Sequence, residues 1–343
     1  MSKTYDIAIA GATGAVGEAL LRILEERNFP VGKIFPLASE RSIGRTVTFQ
    51  GEQLPVHSLY DFDFKQVQVG LFSAGGSVSR DIVPKAVEAG TVVIDNTSQY
   101  RYEDDVPLVV PECNSDRIAQ HTERGIIANP NCSTIQLVVA CKPIQDAVGI
   151  DRINVSTYQS VSGAGRLSME SLTEQTRALL TGVKTTDSGK TGEEKAIAFN
   201  AVPKIGPLLD SGFTQEEMKM VWETQKIFED PDIKVNPTCV RIPVYLGHSE
   251  AVHIETREKL SIEEVRELLN SASGVTVIDG EAPGEYPTAV TEGANQDDVF
   301  VGRIREDLSH PRGINLWVVS DNLRKGAALN SIQIAEILVK DYF

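Results

Sequence analysis

The 343 residues suffice for two domains, each large enough to bury its own core. With 41% hydrophobic and 24% charged residues and no low-complexity tract, the composition is that of a soluble globular protein. A net charge of −15 argues against nucleic-acid or anionic-membrane surfaces, and no apolar run approaches the roughly 20 residues that span a bilayer.

The chain enters a strand at once in MSKTYDIAIAG, without a signal-peptide pattern. Residues 6–24, DIAIAGATGAVGEALLRIL, read as strand, glycine turn and helix, with Leu20, Ile23 and Leu24 on the helix's apolar face. Buried-looking strands follow at KIFPLAS, VQVGLFSAG, TVVIDNTS and RGIIANP, separated by helix-length segments such as SRDIVPKAVEAG. This alternation predicts a parallel sheet with helices on both faces. After Cys132 the pattern changes. INVSTYQSV, VRIPVYLGHSEAVHIET and the hairpin VFVGRIRED–LSHPRG–INLWVVSDN alternate polar and apolar residues, which predicts a mostly antiparallel sheet. The polar stretch 181–195, TGVKTTDSGKTGEEK, reads as a loop. A last helix places Leu329, Ile332, Ala335, Leu338, Val339 and Tyr342 near one face.

The turn GATGAVG sets Gly11, Gly14 and Gly17 between strand and helix. Glycine there permits a sharp bend and lets backbone N–H groups approach a pyrophosphate at the helix start. The spacing equally suits a tight turn with close packing and no ligand. An acidic residue ending the second strand ordinarily reads a 2′-hydroxyl, and an arginine a 2′-phosphate. Here Ser39, Arg41 and Ser42 flank Glu40, a set suited to the 2′-phosphate of NADP provided Glu40 points away.

The four cysteines, Cys113, Cys132, Cys141 and Cys239, show no CxxC pairing, so neither a zinc site nor a disulfide framework is indicated and a reduced, cytoplasmic protein is expected. Cys132 lies where a helix begins, in NPNCST, and the positive end of a helix favours thiolate over thiol. A small buried apolar role is the competing reading. A nucleophilic thiol needs a proton-transfer partner. Of five histidines, His57, His121 and His310 lie in polar, solvated-looking stretches. His253 sits within a strand, and His248 follows a glycine at a turn, where it can reach a cleft. Arg241 interrupts the apolar strand TCVRIPV and implies either a bound carboxylate or an internal ion pair. Gln159 shares a strand face with Ile153, Val155, Thr157 and Val161 and so needs a polar partner. Arg101 follows TVVIDNTS at its carboxyl end, where ligands collect in open α/β sheets. Glu216 and Lys219, three apart on a helix, read by default as a solvated pair.

Together, GATGAVG, SERSIGR, LFSAGG, DNTSQYR, NPNCST, QSVSGAG, EEMKMVWETQKI, VRIPV with GHSE, and SDNLRKGAA resemble the bacterial aspartate-β-semialdehyde dehydrogenase family over nearly the whole chain. The resemblance implies an α/β chain. A Rossmann-type parallel-sheet domain, residues 1–131 completed by the C-terminal helix 323–343, joins an α+β catalytic and dimerisation domain, 132–322. It implies NADPH-dependent reductive dephosphorylation of L-4-aspartyl phosphate to L-aspartate 4-semialdehyde, with inorganic phosphate as a second product, no metal, and a homodimer. By motif, Cys132 becomes the thioester-forming nucleophile, His248 the general acid/base, and Gln159 the group that positions the intermediate. Proton delivery as the aldehyde forms needs a group titrating near neutrality, a task suited to histidine. Arg241 would bind the α-carboxylate, Glu216 the amino group, and Arg101, Lys219 and Asn131 the phosphate. Gly11, Thr13, Gly14, Ala15 and Val16, then Ser39, Arg41 and Ser42, then Ser162 and Gly163, with Asn322 at the nicotinamide end, would hold the cofactor. Two alternatives stand beside this one. N-acetyl-γ-glutamyl-phosphate reductase uses the same cysteine logic, although its neighbourhood reads NPGCY. A silent NADP-binding sensor would leave Cys132 without a task.

Overall fold

Short buried strands joined through helices fill the first part of the chain. In the computed structural model, which describes residues 3–182 and 195–343, they form a six-stranded, wholly parallel sheet of order β5-β2-β1-β6-β7-β8. Its strands are β1 (Tyr5–Ala10), β2 (Val31–Ala38), β5 (His57–Ser58), β6 (Val69–Phe72), β7 (Val92–Asp95) and β8 (Ile126–Ala128). A small antiparallel ribbon, β3 (Thr46–Phe49) with β4 (Glu52–Pro55), interrupts the alternation. Residues along β6 are all buried, as strands covered on both faces must be.

Two compact units emerge, one of Met1–Asn131 with Gly326–Phe343 and one of Cys132–Lys325. In the first, helix α1 (Ala15–Glu26) turns Leu20, Ile23 and Leu24 inward, each no more than 1% exposed. Helix α9 (Leu329–Asp341) packs beside it and buries Leu329, Ile332, Ala335, Leu338 and Val339 in the same cluster. Tyr342 lies past the end of α9 and is 40% exposed, so it is not part of the buried face. Helix α2 (Gly76–Glu88) packs against β7, and α3 (Pro111–Asn114) and α4 (His121–Arg124) are single turns. His121 is buried, not solvated: its Nδ1 lies 2.8 Å from the Ile118 carbonyl and its ring meets Tyr342 edge-on. Polar neighbours in sequence concealed that packing.

The second unit holds a mixed sheet of order β10-β9-β11-β14-β13-β12. Its strands are β9 (Ile150–Gln159), β10 (Lys234–Arg241), β11 (His248–Thr256), β12 (Val275–Val277), β13 (Val299–Glu306) and β14 (Gly313–Ser320). The central β9-β11-β14-β13 pairings are antiparallel, whereas β10 and β12 add parallel to β9 and β13 at the edges. Helices α5 (Cys132–Val148), α7 (Gln215–Phe228) and α8 (Ile262–Ser271) pack with this sheet, and α6 (Arg166–Thr181) follows β9. The stretch 181–195, read as a loop, lies outside the described residues except at its ends.

Helix α9 is tied to its unit by Asn330, whose Nδ2 donates to the Val109 carbonyl at 2.9 Å and to Asn129 Oδ1 at 2.7 Å. Replacing Asn330 by Leu strands both acceptors in the interior and should cost about 2–4 kcal/mol. Equilibrium urea unfolding reads this directly, and a loss under about 1 kcal/mol would show that α9 docks on apolar burial alone.

Candidate active site

Strand register decides which side chains meet. Parallel pairing of β9 with β10 sets Gln159 opposite Arg241 at the carboxyl ends of both strands. Antiparallel β11 begins at the same level, because Ser249 pairs with Tyr158 and His248 precedes it. Three strand ends therefore bring Gln159, Arg241 and His248 together. Gly247 makes the entry to β11 possible: its φ is +83°, and a Cβ there would lie 2.6 Å from the Ala289 carbonyl oxygen. Helix α5 packs over β9 and β11 with Cys132 as its first residue. Cys132 Sγ lies 3.3 Å from His248 Nε2. The thiol thus sits at a helix start, where the aligned peptide dipoles favour negative charge.

His248 is fully buried. Burial first, and then the positive charge of Arg241, lower its pKa to about 3, with Glu216 opposing. Both effects favour the neutral imidazole, whose Nε2 faces the sulfur. On its other side Nδ1 receives the Ser160 N–H at 3.0 Å and lies 3.1 Å from Ser160 Oγ. Asn322 Oδ1 accepts from Ser160 Oγ, Ser162 Oγ and the Gly247 N–H, so this carboxamide braces the turn that carries His248. Arg241 Nη1 donates to the Ser160 carbonyl at 2.7 Å. Exposed Gly163, in the 3-10 turn Val161–Ala164, borders both groups: a Cβ there would stand 3.6 Å from the His248 ring and 3.7 Å from Arg241 Nη1.

Glu216 and Lys219 are not a solvated pair. Glu216 is buried; its Oε1 accepts from Gln159 Nε2 at 3.1 Å and its Oε2 from Lys219 Nζ at 2.9 Å. Gln159 Oε1 accepts in turn from Thr157 Oγ1, which satisfies both ends of the buried amide. Helix α7 is held in place by a capping box between Thr214 and Glu217. Glu217 Oε1 also accepts from the backbone N–H of Cys239, fastening the helix to β10 two residues before Arg241.

Sequence reasoning passed over Ser160 and Glu250, both inside quoted motifs. Glu250 shares its strand face with His248, Val252 and Ile254 and is fully buried. Burial raises its pKa well above the ordinary carboxyl value of 4.5, opposed only in part by Gln136, one turn along α5 from Cys132. Neither carboxyl oxygen has a hydrogen bond of good geometry. The signal was available: a carboxylate on the apolar side of an alternating strand.

In the first unit, Gly14 precedes α1 and no side chain caps that helix, leaving the helix start to an external acceptor. Ala15 and Val16 open the helix, and Gly17 packs so closely that a Cβ would lie 2.3 Å from the Gly11 carbonyl oxygen. Thr13 Oγ1 lies 3.3 Å from Ser42 Oγ, which links the glycine turn to the turn ending β2, where Ser39 and exposed Arg41 stand. Glu40 is drawn aside by Ser58, whose Oγ donates to it at 3.3 Å. These residues fit a dinucleotide phosphate. Arg101 is buried and donates to the Asn96 carbonyl at 2.7 Å, just beyond β7. Asn131, also buried, closes the first unit's main segment.

Burial of Glu250, with its raised pKa, has a consequence for stability. A carboxyl whose folded pKa is raised stabilises fully below about pH 4.5 and loses that contribution as pH rises. Glu250→Gln should therefore gain urea resistance relative to the parent as pH rises above about 5. A difference that stays flat with pH would show the carboxyl to be ionised in the native protein.

Residues 6–121 match the family described as "Semialdehyde dehydrogenase, NAD binding domain", and residues 141–325 match "Semialdehyde dehydrogenase, dimerisation domain". A Legionella pneumophila protein named aspartate-semialdehyde dehydrogenase is 58% identical, with 100% of this chain and 98% of that one aligned. The crystal structure of aspartate semialdehyde dehydrogenase II complexed with ASA, from Vibrio cholerae, superposes with a TM-score of 0.96 at 55% identity, covering 100% of both chains. The Candida albicans aspartate semialdehyde dehydrogenase crystallised with NADP reaches 0.73 at 27% identity over 98% of this chain and 99% of that one. With both domain families matched and identity this high from end to end, the chain belongs to the aspartate-semialdehyde dehydrogenase family.

Proposed function

We propose that this protein converts L-4-aspartyl phosphate to L-aspartate 4-semialdehyde with NADPH, through a thioester on Cys132. The observation that carries this reading is the Cys132–His248 pair at 3.3 Å beside Gln159, Glu216 and Arg241, in a chain of this family. Cys132 acts first as nucleophile: its C–S bond forms as the C–O bond to phosphate breaks, and the departing phosphate takes up one proton. The chemistry NADPH brings is hydride donation to the acyl carbon. Cys132 acts last as leaving group, its C–S bond breaking as the aldehyde carbonyl re-forms. The relatives bound to ASA and to NADP support the same ligands here.

Arg241 is assigned the α-carboxylate, whose two oxygens suit a guanidinium fork. Glu216 takes the amino group, and Gln159, held by Thr157 and Glu216, positions the thioester carbonyl. His248 is the acid/base group. Because Arg241 is among the charges that depress it, a carboxylate on Arg241 would raise its proton affinity when substrate binds. Phosphate falls to Arg101, Lys219 and Asn131. The cofactor falls to Gly11, Thr13, Gly14, Ala15 and Val16 around the first turn, to Ser39, Arg41 and Ser42 for the 2′-phosphate, and to Ser162, Gly163 and Asn322. The match to the dimerisation family supports a homodimer. Among the described residues no helix is long and apolar enough to cross a membrane, and we place the reaction in the cytoplasm.

The assay runs in reverse: NADPH formation from L-aspartate 4-semialdehyde, phosphate and NADP, with N-acetyl-glutamate semialdehyde as competitor. Turnover of the acetylated substrate alone would overturn the assignment. Cys132→Ser should keep cofactor binding and lose turnover by orders of magnitude, since an alkoxide is far less accessible than a thiolate; full activity would remove the thioester route. Arg241→Leu should raise KM for the semialdehyde by about 10- to 100-fold, as expected for one charge-assisted pair. An unchanged KM would contradict the carboxylate role.

A further inference from the structure

We propose that Ser160 is a positioning residue that holds His248 in a single tautomer, with the proton on Nε2 and directed at the Cys132 sulfur. The geometry is specific. A backbone N–H can only donate, and the Ser160 N–H lies 3.0 Å from His248 Nδ1. Nδ1 must therefore present its lone pair, which leaves the ring proton on Nε2, 3.3 Å from Cys132 Sγ. Ser160 Oγ stands in a small polar cluster, 3.1 Å from Nδ1, 3.0 Å from Asn322 Oδ1 and 3.1 Å from Ser162 Oγ, and its one hydrogen can turn to Nδ1 or to Oδ1. The Ser160 carbonyl meanwhile accepts from Arg241. One residue thus orients both the acid/base ring and the guanidinium assigned to the substrate carboxylate.

The consequence concerns how the thiolate is supported. A charged imidazolium would turn a second N–H, on Nδ1, against the Ser160 N–H. Resting imidazolium–thiolate pairing is thereby disfavoured, and the sulfur is met by a neutral N–H donor together with the start of α5. The ring takes up a proton in the reaction only when Nδ1 gives up the Ser160 N–H. The groups facing the ring are Cys132 from α5, Arg241 from β10 and Glu216 from α7, with Glu250 farther along the ring's own strand face. Of the remaining influences, the Gly247 backbone favours the protonated ring and is the smallest. The consequence for catalysis rests on the function proposed above; the tautomer itself does not.

Ligand-free protein carrying 15N-labelled histidine, with the His248 signal assigned by its loss in His248→Asn, gives the first readout. A protonated Nε2 and a bare Nδ1 near neutral pH are expected, and a protonated Nδ1 would overturn the proposal. Ser160→Ala removes the hydroxyl and keeps the N–H. It should move the Nδ1 resonance and lower kcat by about tenfold with KM little changed, and Ser160→Thr should restore both. Unchanged nitrogen shifts and kcat in Ser160→Ala, or a change in KM alone, would overturn the part assigned to the Ser160 hydroxyl, since the backbone N–H is retained in that variant. Should the parent fail to turn over aspartate semialdehyde, the functional reading falls while the NMR result still decides the tautomer.

Discussion

In-register parallel pairing of β9 with β10, ending on Gln159 and Arg241, is the constraint on which the site depends. Antiparallel addition of β11 brings His248 to that same level. Strand ends are suited to this task because the ladder hydrogen bonds behind them fix the backbone, while the side chains project past the last rung. A one-residue slip of β11 would send His248 and Glu250 to the opposite face and bring Ser249 and Ala251 to the sulfur. The apolar residues Val252 and Ile254, buried on the same face, oppose that slip.

Function here places charge where folding alone would not. Arg241, Glu216 and Glu250 are all buried in one unit. Each is handled differently. Glu216 is satisfied by Gln159 and Lys219, Arg241 is anchored on the Ser160 carbonyl, and Glu250 has its pKa raised by burial, which favours the neutral acid. A buried ion is costly unless paired, so each of these side chains depends on the partners that surround it. The surrounding apolar strands and the capped helix α7 supply the rigidity such a cluster needs.

Much of this architecture is legible in the residue pattern. Uninterrupted apolar strands signalled the parallel sheet, and alternating strands signalled the second one, because burial on one face or two leaves a direct mark on residue pattern. The parallel edges formed by β10 and β12 were not legible, since strand direction depends on connections that local pattern does not encode. The diversion of Glu40 by Ser58 likewise needed coordinates, because it joins two separate strand ends.

Sequence by itself determined the residue types: a cysteine at a helix start, an arginine inside an apolar strand, and motifs specific enough to identify the family. These are local properties, set by period, flanking glycines and side-chain chemistry. Only the tertiary structure decided that Glu216 is buried between Gln159 and Lys219, that His121 is buried, and that His248 is a fully buried ring whose Nδ1 meets the Ser160 N–H. The physical reason is that burial and electrostatic field come from partners far along the chain. Cys132 and His248 stand 116 residues apart, and packing alone brings them to 3.3 Å.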